Sequence, residues 1–181
     1  MNAFETVISM LLEREGYWVK PNYKVHLTKE EKRTIGRHSS PRWEIDLIAY
    51  KAIKNTILAV ECKSYLDSRG VIASGFIGDN KNAKNRYKLF NEPILRETVF
   101  NRMRIQLEDL GLVSKNPNIQ LCLAVGKFAN DDHRNKIMDH FEHNSWIIFD
   151  DQWMQKRLQE ISKSGYENDV TSIVSKILLR D

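Results

Sequence analysis

The chain has 181 residues, of which 41% are hydrophobic and 29% are charged, with a formal net charge of +4 and a pI near 9.0. These values are typical of a globular domain and exclude a disordered tail. No apolar run approaches the roughly 20 residues that span a bilayer. The length predicts a single domain, residues 1–181. The first residues lack the basic region and apolar stretch of a signal peptide, so we expect a cytoplasmic protein without a membrane partner.

The first third of the chain predicts a helix followed by an edge strand. Apolar residues recur at helical spacing over 2–15, and Gly16 is suited to end that helix. Apolar and polar residues then alternate over 17–27, as in a half-buried strand, where Pro21 indicates a sheet edge or a bulge. Residues 28–41 are polar and contain Gly and Pro, which predicts a mobile loop or an extended hairpin tip.

The rest of the chain predicts strands linked by helices. Residues 64–91 show no clear period and predict an ordered or semi-ordered excursion. The other elements, in chain order, are strands at 43–50 and 56–63, a helix at 93–111, a strand at 119–125, a helix capped by Asp131 or Asp132 and running to about 143, a strand at 146–149, and helices near 151–163 and 169–180. This order predicts an α/β fold with a mixed central sheet, helices on both faces, and extra C-terminal helices.

The two cysteines, Cys62 and Cys122, both lie inside apolar strand-like segments. Their separation is not that of metal ligands. They are therefore predicted to be small buried residues in a reducing compartment, rather than a disulfide or a zinc site.

Three charged residues lie in the two central predicted strands. Asp46 is in the first of them, and Glu61 and Lys63 are two residues apart in the second. A spacing of two on a strand places both side chains on one face. A hairpin between the strands would bring Asp46 beside Glu61. Because an unpaired carboxylate in apolar strand sequence is costly, these residues predict a shared site.

Two carboxylates and a lysine suit phosphodiester hydrolysis with a divalent cation. Mg²⁺ prefers oxygen ligands and retains several waters, so Asp46 and Glu61, with the backbone carbonyl of Cys62, would suffice to hold it. Lys63 would orient the attacking water and stabilise charge, and its protonation state is left open.

Two further acidic residues have alternative interpretations. Glu5 lies in the opening helix and either joins the site or is an ordinary exposed charge, as Glu13 on nearly the same face also could be. Glu44 is two residues from Asp46, which predicts the same face by strand alternation. It is either a further site carboxylate or a solvent-facing partner for a basic group.

These residues resemble the restriction-endonuclease-like, or PD-(D/E)xK, nuclease superfamily. Asp46 and Glu61-Cys62-Lys63 match its motif, and Glu5 matches an acidic residue that many members carry in the preceding helix. The element order from residue 2 to about 149 resembles the family's αβββαβ core. The resemblance implies a Mg²⁺-dependent endonuclease acting on nucleic acid, usually DNA, with Mn²⁺ as a substitute cation. It implies that Asp46 and Glu61 are metal ligands and that Lys63 is the catalytic lysine.

The chain departs from the family pattern in two places. Ile45 stands where a proline gives the motif its first letter. In the predicted helix 93–111, Gln106 is followed four places on by Leu110 rather than by the tyrosine that marks one subgroup, which argues against that subgroup but leaves the core triad intact.

Basic residues are clustered, although the net charge is small. Seven Lys or Arg lie between Lys20 and Arg42, and a second cluster comprises Lys81, Lys84, Arg86 and Lys88. Such clusters suit a polyanion, because neutralised phosphates release counterions; each alone is also typical of a solvated face. Arg102, Arg104 and Gln106 in the helix 93–111 have the same two interpretations, phosphate contact or solvated face.

Three functions are compatible with the sequence. The first is a metal-dependent nuclease acting on DNA, which would cut both strands most simply as a homodimer. The second is a nucleic-acid-binding module that does not cleave, and the third is a nuclease subunit of a defence or mobile-element system. The presence of all three residue types at Asp46, Glu61 and Lys63 favours cleavage over binding alone.

Overall fold

A computed structural model describes residues 2–39, 42–165 and 167–179. The chain forms an α/β fold with an open, five-stranded mixed sheet in the order β1-β2-β3-β4-β5. The β1–β2 and β2–β3 pairs are antiparallel, and the β3–β4 and β4–β5 pairs are parallel. The strands are β1 (Trp18–Val25), β2 (Trp43–Lys51), β3 (Thr56–Lys63), β4 (Asn118–Val125) and β5 (Ile147–Phe149).

Helices flank both faces of this sheet, as the sequence predicts. They are α1 (Ala3–Arg14), α2 (Lys29–Thr34), α3 (Lys81–Lys84), α4 (Lys88–Asn91), α5 (Pro93–Asp109), α6 (Asp131–His143), α7 (Asp151–Lys163) and α8 (Val170–Leu179), with short 3₁₀ turns at Ala52–Lys54 and Ala73–Gly75. The last residue of the predicted C-terminal helix, residue 180, lies outside the described part of the chain. Within the described residues, no helix combines the length and the apolar character needed to cross a bilayer.

Two apolar clusters fill the layers between the sheet and its helices. One cluster packs α4, α5 and α6 against one face through residues such as Val99, Met103 and Phe141. The other packs α1 and α7 against the opposite face through Ile8 and Met154. The central strands are buried on both faces, which is why their sequences are nearly continuous apolar runs. Any polar side chain in those strands therefore needs a specific partner.

Two local predictions need correction. The predicted loop 28–41 contains α2, because the Thr28 side chain accepts from the Glu31 N–H while the Glu31 carboxylate accepts from the Thr28 N–H. This reciprocal cap starts a helix even in a polar segment; Ser40 and Pro41 lie outside the described residues. The cap of α6 is Asn130, not Asp131 or Asp132.

Residues 64–91 form an ordered segment, which is the first of the two predicted alternatives. The segment contains the second 3₁₀ turn, α3 and α4. It contributes Val71, Phe76 and Phe90 to the first apolar cluster, so it is an ordered part of the core. Burial of these widely spaced side chains has no periodic signature, because each comes from a different turn.

The two cysteines are buried free thiols, as predicted. Pro21 lies in β1, an edge strand of the sheet, as its missing N–H requires.

Candidate active site

Asp46 lies where two strand ladders are interrupted. The β2–β3 ladder runs from Lys51 paired with Thr56 to Leu47 paired with Val60, and pairing stops there. The Asp46 Oδ2 atom accepts a hydrogen bond of 2.8 Å from the Cys62 backbone N–H instead. The carboxylate therefore takes the place of a strand contact at the point where β2 and β3 separate.

The neighbouring ladder is interrupted at the same position. In the β1–β2 register, Pro21 pairs with Leu47 and Tyr23 with Ile45, and the residues between them are unpaired. One of these, Asn22, has a φ of 50°, a left-handed conformation that asparagine tolerates better than most residues. Irregularities of this kind re-aim side chains beside functional sites.

The interruption also changes which face each residue occupies. Ile45 belongs to the first apolar cluster and Leu47 to the second, although they are two residues apart. The simple alternation that predicted a shared face for Glu44 and Asp46 therefore does not hold. Glu44 is exposed, whereas Asp46 is partly buried, so Glu44 is solvent-facing and Asp46 turns toward β3.

Glu61 and Lys63 form a close ion pair next to Asp46. Lys63 Nζ donates to Glu61 Oε1 at 2.6 Å, and the two side chains are only 21% and 22% exposed. Burial raises the pKa of Glu61, assisted by the negative charges of Asp46 and Glu5 and opposed by Lys63. Burial by itself would lower the pKa of Lys63, but the Glu61 carboxylate, assisted by Asp46, outweighs this and raises it. Lys63 is therefore a cation at neutral pH.

Glu5 is buried beside this group and is not an ordinary exposed charge; Glu13 is the exposed one. Its carboxylate accepts from the Asn2 N–H at 3.0 Å in the capping box of α1. Burial, followed by the charges of Asp46, Glu5 and Glu61, raises the pKa of the Cys62 thiol. The structure thus brings together all four residues that the sequence singled out, with three carboxylates around Cys62.

The backbone of Cys62 is oriented toward the same gap. The Lys63 carbonyl accepts from Gly126 on the β4 side, while the Cys62 N–H points to Asp46 on the β2 side. Because the N–H and C=O of a strand residue point to the same neighbour, the Cys62 carbonyl faces the β2 side, beyond the last paired residues. Its buried thiol stays protonated, which leaves the carbonyl oxygen as the ligand that Cys62 would offer.

These groups form a donor set that suits Mg²⁺. Asp46, Glu61 and the Cys62 carbonyl supply hard oxygen atoms. Burial is the main cause of the raised pKa of Glu61, and the nearby charges of Asp46 and Glu5 add to it. A divalent cation would neutralise this concentration of negative charge. In the described part of the chain, no three or more His, Cys, Asp or Glu side chains are grouped so as to hold a metal ion. The set predicted from the sequence is of another kind, two carboxylates and a carbonyl.

The residues of α5 proposed for phosphate contact have partners within the fold. Arg102 pairs with Glu31 at 2.8 Å. Gln106 accepts from the His26 N–H and donates to the Lys24 carbonyl. Gln106 connects α5 to β1 and the residue after it, and Arg102 connects α5 to α2, so the role of both side chains in this structure is to hold elements together.

Sequence reasoning missed two tyrosines beside the site. Lys63 Nζ lies 5.9 Å from the centre of the Tyr87 ring. Tyr65, two residues after Lys63, has a φ of 45°, which is unusual for a bulky residue. Burial, followed by the charge of Tyr65 and a hydrogen bond to it, raises the pKa of Tyr87. The spacing Glu61-x-Lys63-x-Tyr65 was a signal that would have found one of them.

In comparisons with known proteins, no protein-family model, no curated protein and no solved structure matches the chain.

Proposed function

We propose that this chain is a metal-dependent nuclease that hydrolyses phosphodiester bonds, most readily in DNA, on a restriction-endonuclease-like core. The observation that carries the proposal is the meeting of Asp46 with the Glu61–Lys63 pair where β2 and β3 separate. The order α1, then β1, β2 and β3, then α5 and β4 supports the αβββαβ arrangement.

The residues have separate roles in the proposed reaction. Asp46 and Glu61, with the Cys62 carbonyl, would hold Mg²⁺, for which Mn²⁺ is a substitute; when bound, the cation supplies charge stabilisation for the phosphoryl group and a water of lowered pKa. The Cys62 N–H fixes Asp46 Oδ2 and so sets the direction of the carboxylate. Glu5 adds negative charge behind Glu61 and favours cation binding.

Lys63 acts as a fixed positive charge rather than as a base. Its ammonium group, held by Glu61 in this structure, has two further protons to donate. It would donate to the attacking water or to a phosphate oxygen, where positive charge stabilises the transition state. The surrounding apolar clusters keep the local dielectric low, which strengthens this interaction.

The test is cleavage of linear, circular, branched and single-stranded DNA, and of RNA, with Mg²⁺ or Mn²⁺. We expect metal-dependent cleavage by the wild type that is lost in Asp46→Asn and Lys63→Ala. Asp139→Asn is the matched control, because Asp139 is exposed on α6, and it should cleave like the wild type. Binding to every substrate without cleavage would overturn the nuclease in favour of a binding module. Cleavage that survives both site substitutions would place the activity elsewhere.

A further inference from the structure

A cavity of about 430 Å³ lies next to the candidate active site. Its lining includes Tyr65, Arg69, Arg86 and Tyr87, with Asn80 and Asn82, and its volume is within the range of small-ligand pockets. Tyr87 connects the cavity to the site, since its ring lies below Lys63. The cavity is therefore adjacent to Lys63, and one ligand could contact both.

The lining is rich in hydrogen-bond donors and contains no carboxylate. Arg69 and Arg86 are exposed, and neither forms a hydrogen bond or ion pair with the described residues. Arginine presents a planar fork of donors that matches phosphate oxygens. Two unpaired guanidinium groups at one cavity therefore favour an anionic ligand with phosphate chemistry.

The cavity also offers an aromatic surface. Tyr87 is 4% exposed and packs against Phe76, so it forms part of the wall. Tyr65 is only half-buried, and it has a left-handed backbone conformation two residues after the end of β3 at Lys63. Strain of this kind persists where the surrounding structure enforces it, commonly at ligand sites. A nucleobase has the flat face that stacks on such a ring.

We infer that this cavity holds one nucleotide of the bound strand, with its phosphate at Arg69 and Arg86 and its base against Tyr65. The inference rests on the proposed function, because it places that nucleotide beside the phosphodiester bond to be cut. The second basic cluster of the sequence therefore contributes to the cavity only in part. Arg86 contacts the nucleotide, while Lys81 and Lys88 do not line the cavity.

The test measures binding without cleavage. Fluorescence anisotropy of a labelled single-stranded oligonucleotide in EDTA should show a dissociation constant at least about 10-fold higher for R69A/R86A. The slope of log K against log salt should fall by about 0.7, since one neutralised phosphate of a single strand contributes about that much. Tyr65→Leu should weaken binding about 5-fold or more through lost stacking, while Tyr65→Phe should retain wild-type affinity.

The matched control is K54A/K115A, which removes two exposed cations at the opposite end of β3. If R69A/R86A behaves like this control in a protein that cleaves DNA, the cavity inference is wrong and the nuclease proposal stands. If no substrate is cleaved but R69A/R86A still loses affinity, the nuclease proposal fails and the cavity inference stands. Displacement of the label by a mononucleotide as effectively as by an oligonucleotide would overturn the assignment to a strand.

A second, independent feature is the reversed polarity of α8. Its buried residues are Thr171, Ser172 and Ser175, which pack toward α1 and α7. Its apolar residues point outward, and Ile177 and Leu178 are each 74% exposed. An amphipathic helix on a monomer normally presents the opposite arrangement.

We propose that the outward face of α8 binds α8 of a second copy of this chain. Six apolar residues of α8 are between 37% and 74% exposed, namely Val170, Ile173, Val174, Ile177, Leu178 and Leu179. A concentration of exposed apolar side chains of this kind is typical of a protein–protein interface. The only charged residue of α8, Lys176, donates to the carbonyls of Ser162 and Ser164. Two copies of this face would therefore meet without like-charge repulsion.

The shape of the patch also suits pairing with itself. A groove of about 540 Å³ runs between α8 and α7, and Val170, Val174 and Leu178 line it. A ridge and a groove formed by one helix provide the self-complementary surface that a two-fold interface requires.

The test is the molar mass in solution by light scattering over a concentration series. The wild type should be a dimer, and I177K/L178K should be a monomer with unchanged folding, because both side chains are already exposed. Ile53→Lys is the control, since Ile53 is 90% exposed on another surface, and it should remain a dimer. A monomeric wild type at every concentration would overturn the proposal. So would flotation of the wild type, but not I177K/L178K, with neutral or anionic lipid vesicles.

Discussion

The Asp46 carboxylate accepts from the Cys62 backbone N–H at 2.8 Å, just beyond Leu47 and Val60, the last paired residues of β2 and β3. This contact does two things. It satisfies a backbone donor that the ended ladder would leave unpaired, and it fixes Asp46 beside Glu61. The Asp46 side chain thus has both a structural role, as a hydrogen-bond acceptor, and a candidate catalytic role, as a metal ligand. Different substitutions at this position can separate the two roles.

Replacing Asp46 with asparagine should abolish activity without unfolding the protein. The amide oxygen still accepts from the Cys62 N–H, so the free energy of unfolding should change by less than about 1 kcal/mol. The cleavage rate should fall at least about 100-fold, because the site loses a charged ligand. Asp46→Leu should in addition cost about 1–3 kcal/mol by leaving the N–H unsatisfied. Urea denaturation measures the stabilities, and equal losses for both variants would contradict the assigned hydrogen bond.

Mg²⁺ should stabilise the wild type in a saturable way. A ligand that binds only the native state adds about 2.7 kcal/mol at a concentration of 100 Kd, and relief of repulsion among Asp46, Glu61 and Glu5 provides the physical reason. Thermal unfolding with and without Mg²⁺ measures this, and EDTA should reverse it. Asp46→Asn should show little of the effect and Glu13→Gln, on the exposed side of α1, all of it. An equal Mg²⁺ stabilisation of the wild type, Asp46→Asn and Glu13→Gln would show that Mg²⁺ binds away from Asp46.

The Glu31–Arg102 pair should make stability depend on acid pH. Burial, the largest single cause, would raise the pKa of Glu31, but the hydrogen bond and charge of Arg102 together with the hydrogen bonds of Thr28 outweigh it, and the pKa is lowered. A lowered carboxyl pKa contributes stability above the unfolded-state value of about 4.5 and loses it as pH falls through the lower folded-state value. At pH 7 Glu31→Gln should therefore cost about 1 kcal/mol or less. The difference in the free energy of unfolding between Glu31→Gln and the wild type should disappear once the pH is below the folded-state pKa of Glu31. Urea denaturation at several pH values measures it.

Gly126 should tolerate no side chain. A Cβ there would lie 2.2 Å from the Ser64 carbonyl oxygen, a backbone atom that cannot move without shifting the end of β3. Gly126→Ala should cost about 1–3 kcal/mol, as overpacking typically does, and should lower the cleavage rate by displacing Lys63. Gly165→Ala is the control, because nothing lies within 4 Å of its added Cβ. Wild-type stability of Gly126→Ala would contradict the close approach.

Several elements were predictable because their signals are local. The helix α1, the strands β2 and β3 and the helix α5 have clear apolar periods, and each lies within a residue or two of its predicted bounds. The start of α2 was also in the sequence, as a Thr28-x-x-Glu31 cap, but the polar composition of the segment obscured it. The packing of residues 64–91 was not readable, since scattered side chains from separate turns enter one cluster.

The candidate site also has features that the sequence predicted and features that it did not. The spacing of Asp46, Glu61 and Lys63 depends only on two strands and a turn, so the chain's own pattern was enough to bring them together. The interruption at Asp46, the burial of Glu5 and the cavity at Tyr65 depend on contacts among segments far apart in the chain.

The sequence by itself determined the order of the strands and of the longer helices, and the residue types and charges of the candidate site. Only the tertiary structure decided which way Asp46 points, which of Glu5 and Glu44 lies near it, and that α8 turns its apolar face outward. The physical reason is that periodicity records whether a residue is apolar, whereas the direction of a side chain at a broken ladder or on a terminal helix is set by the neighbours that pack against it.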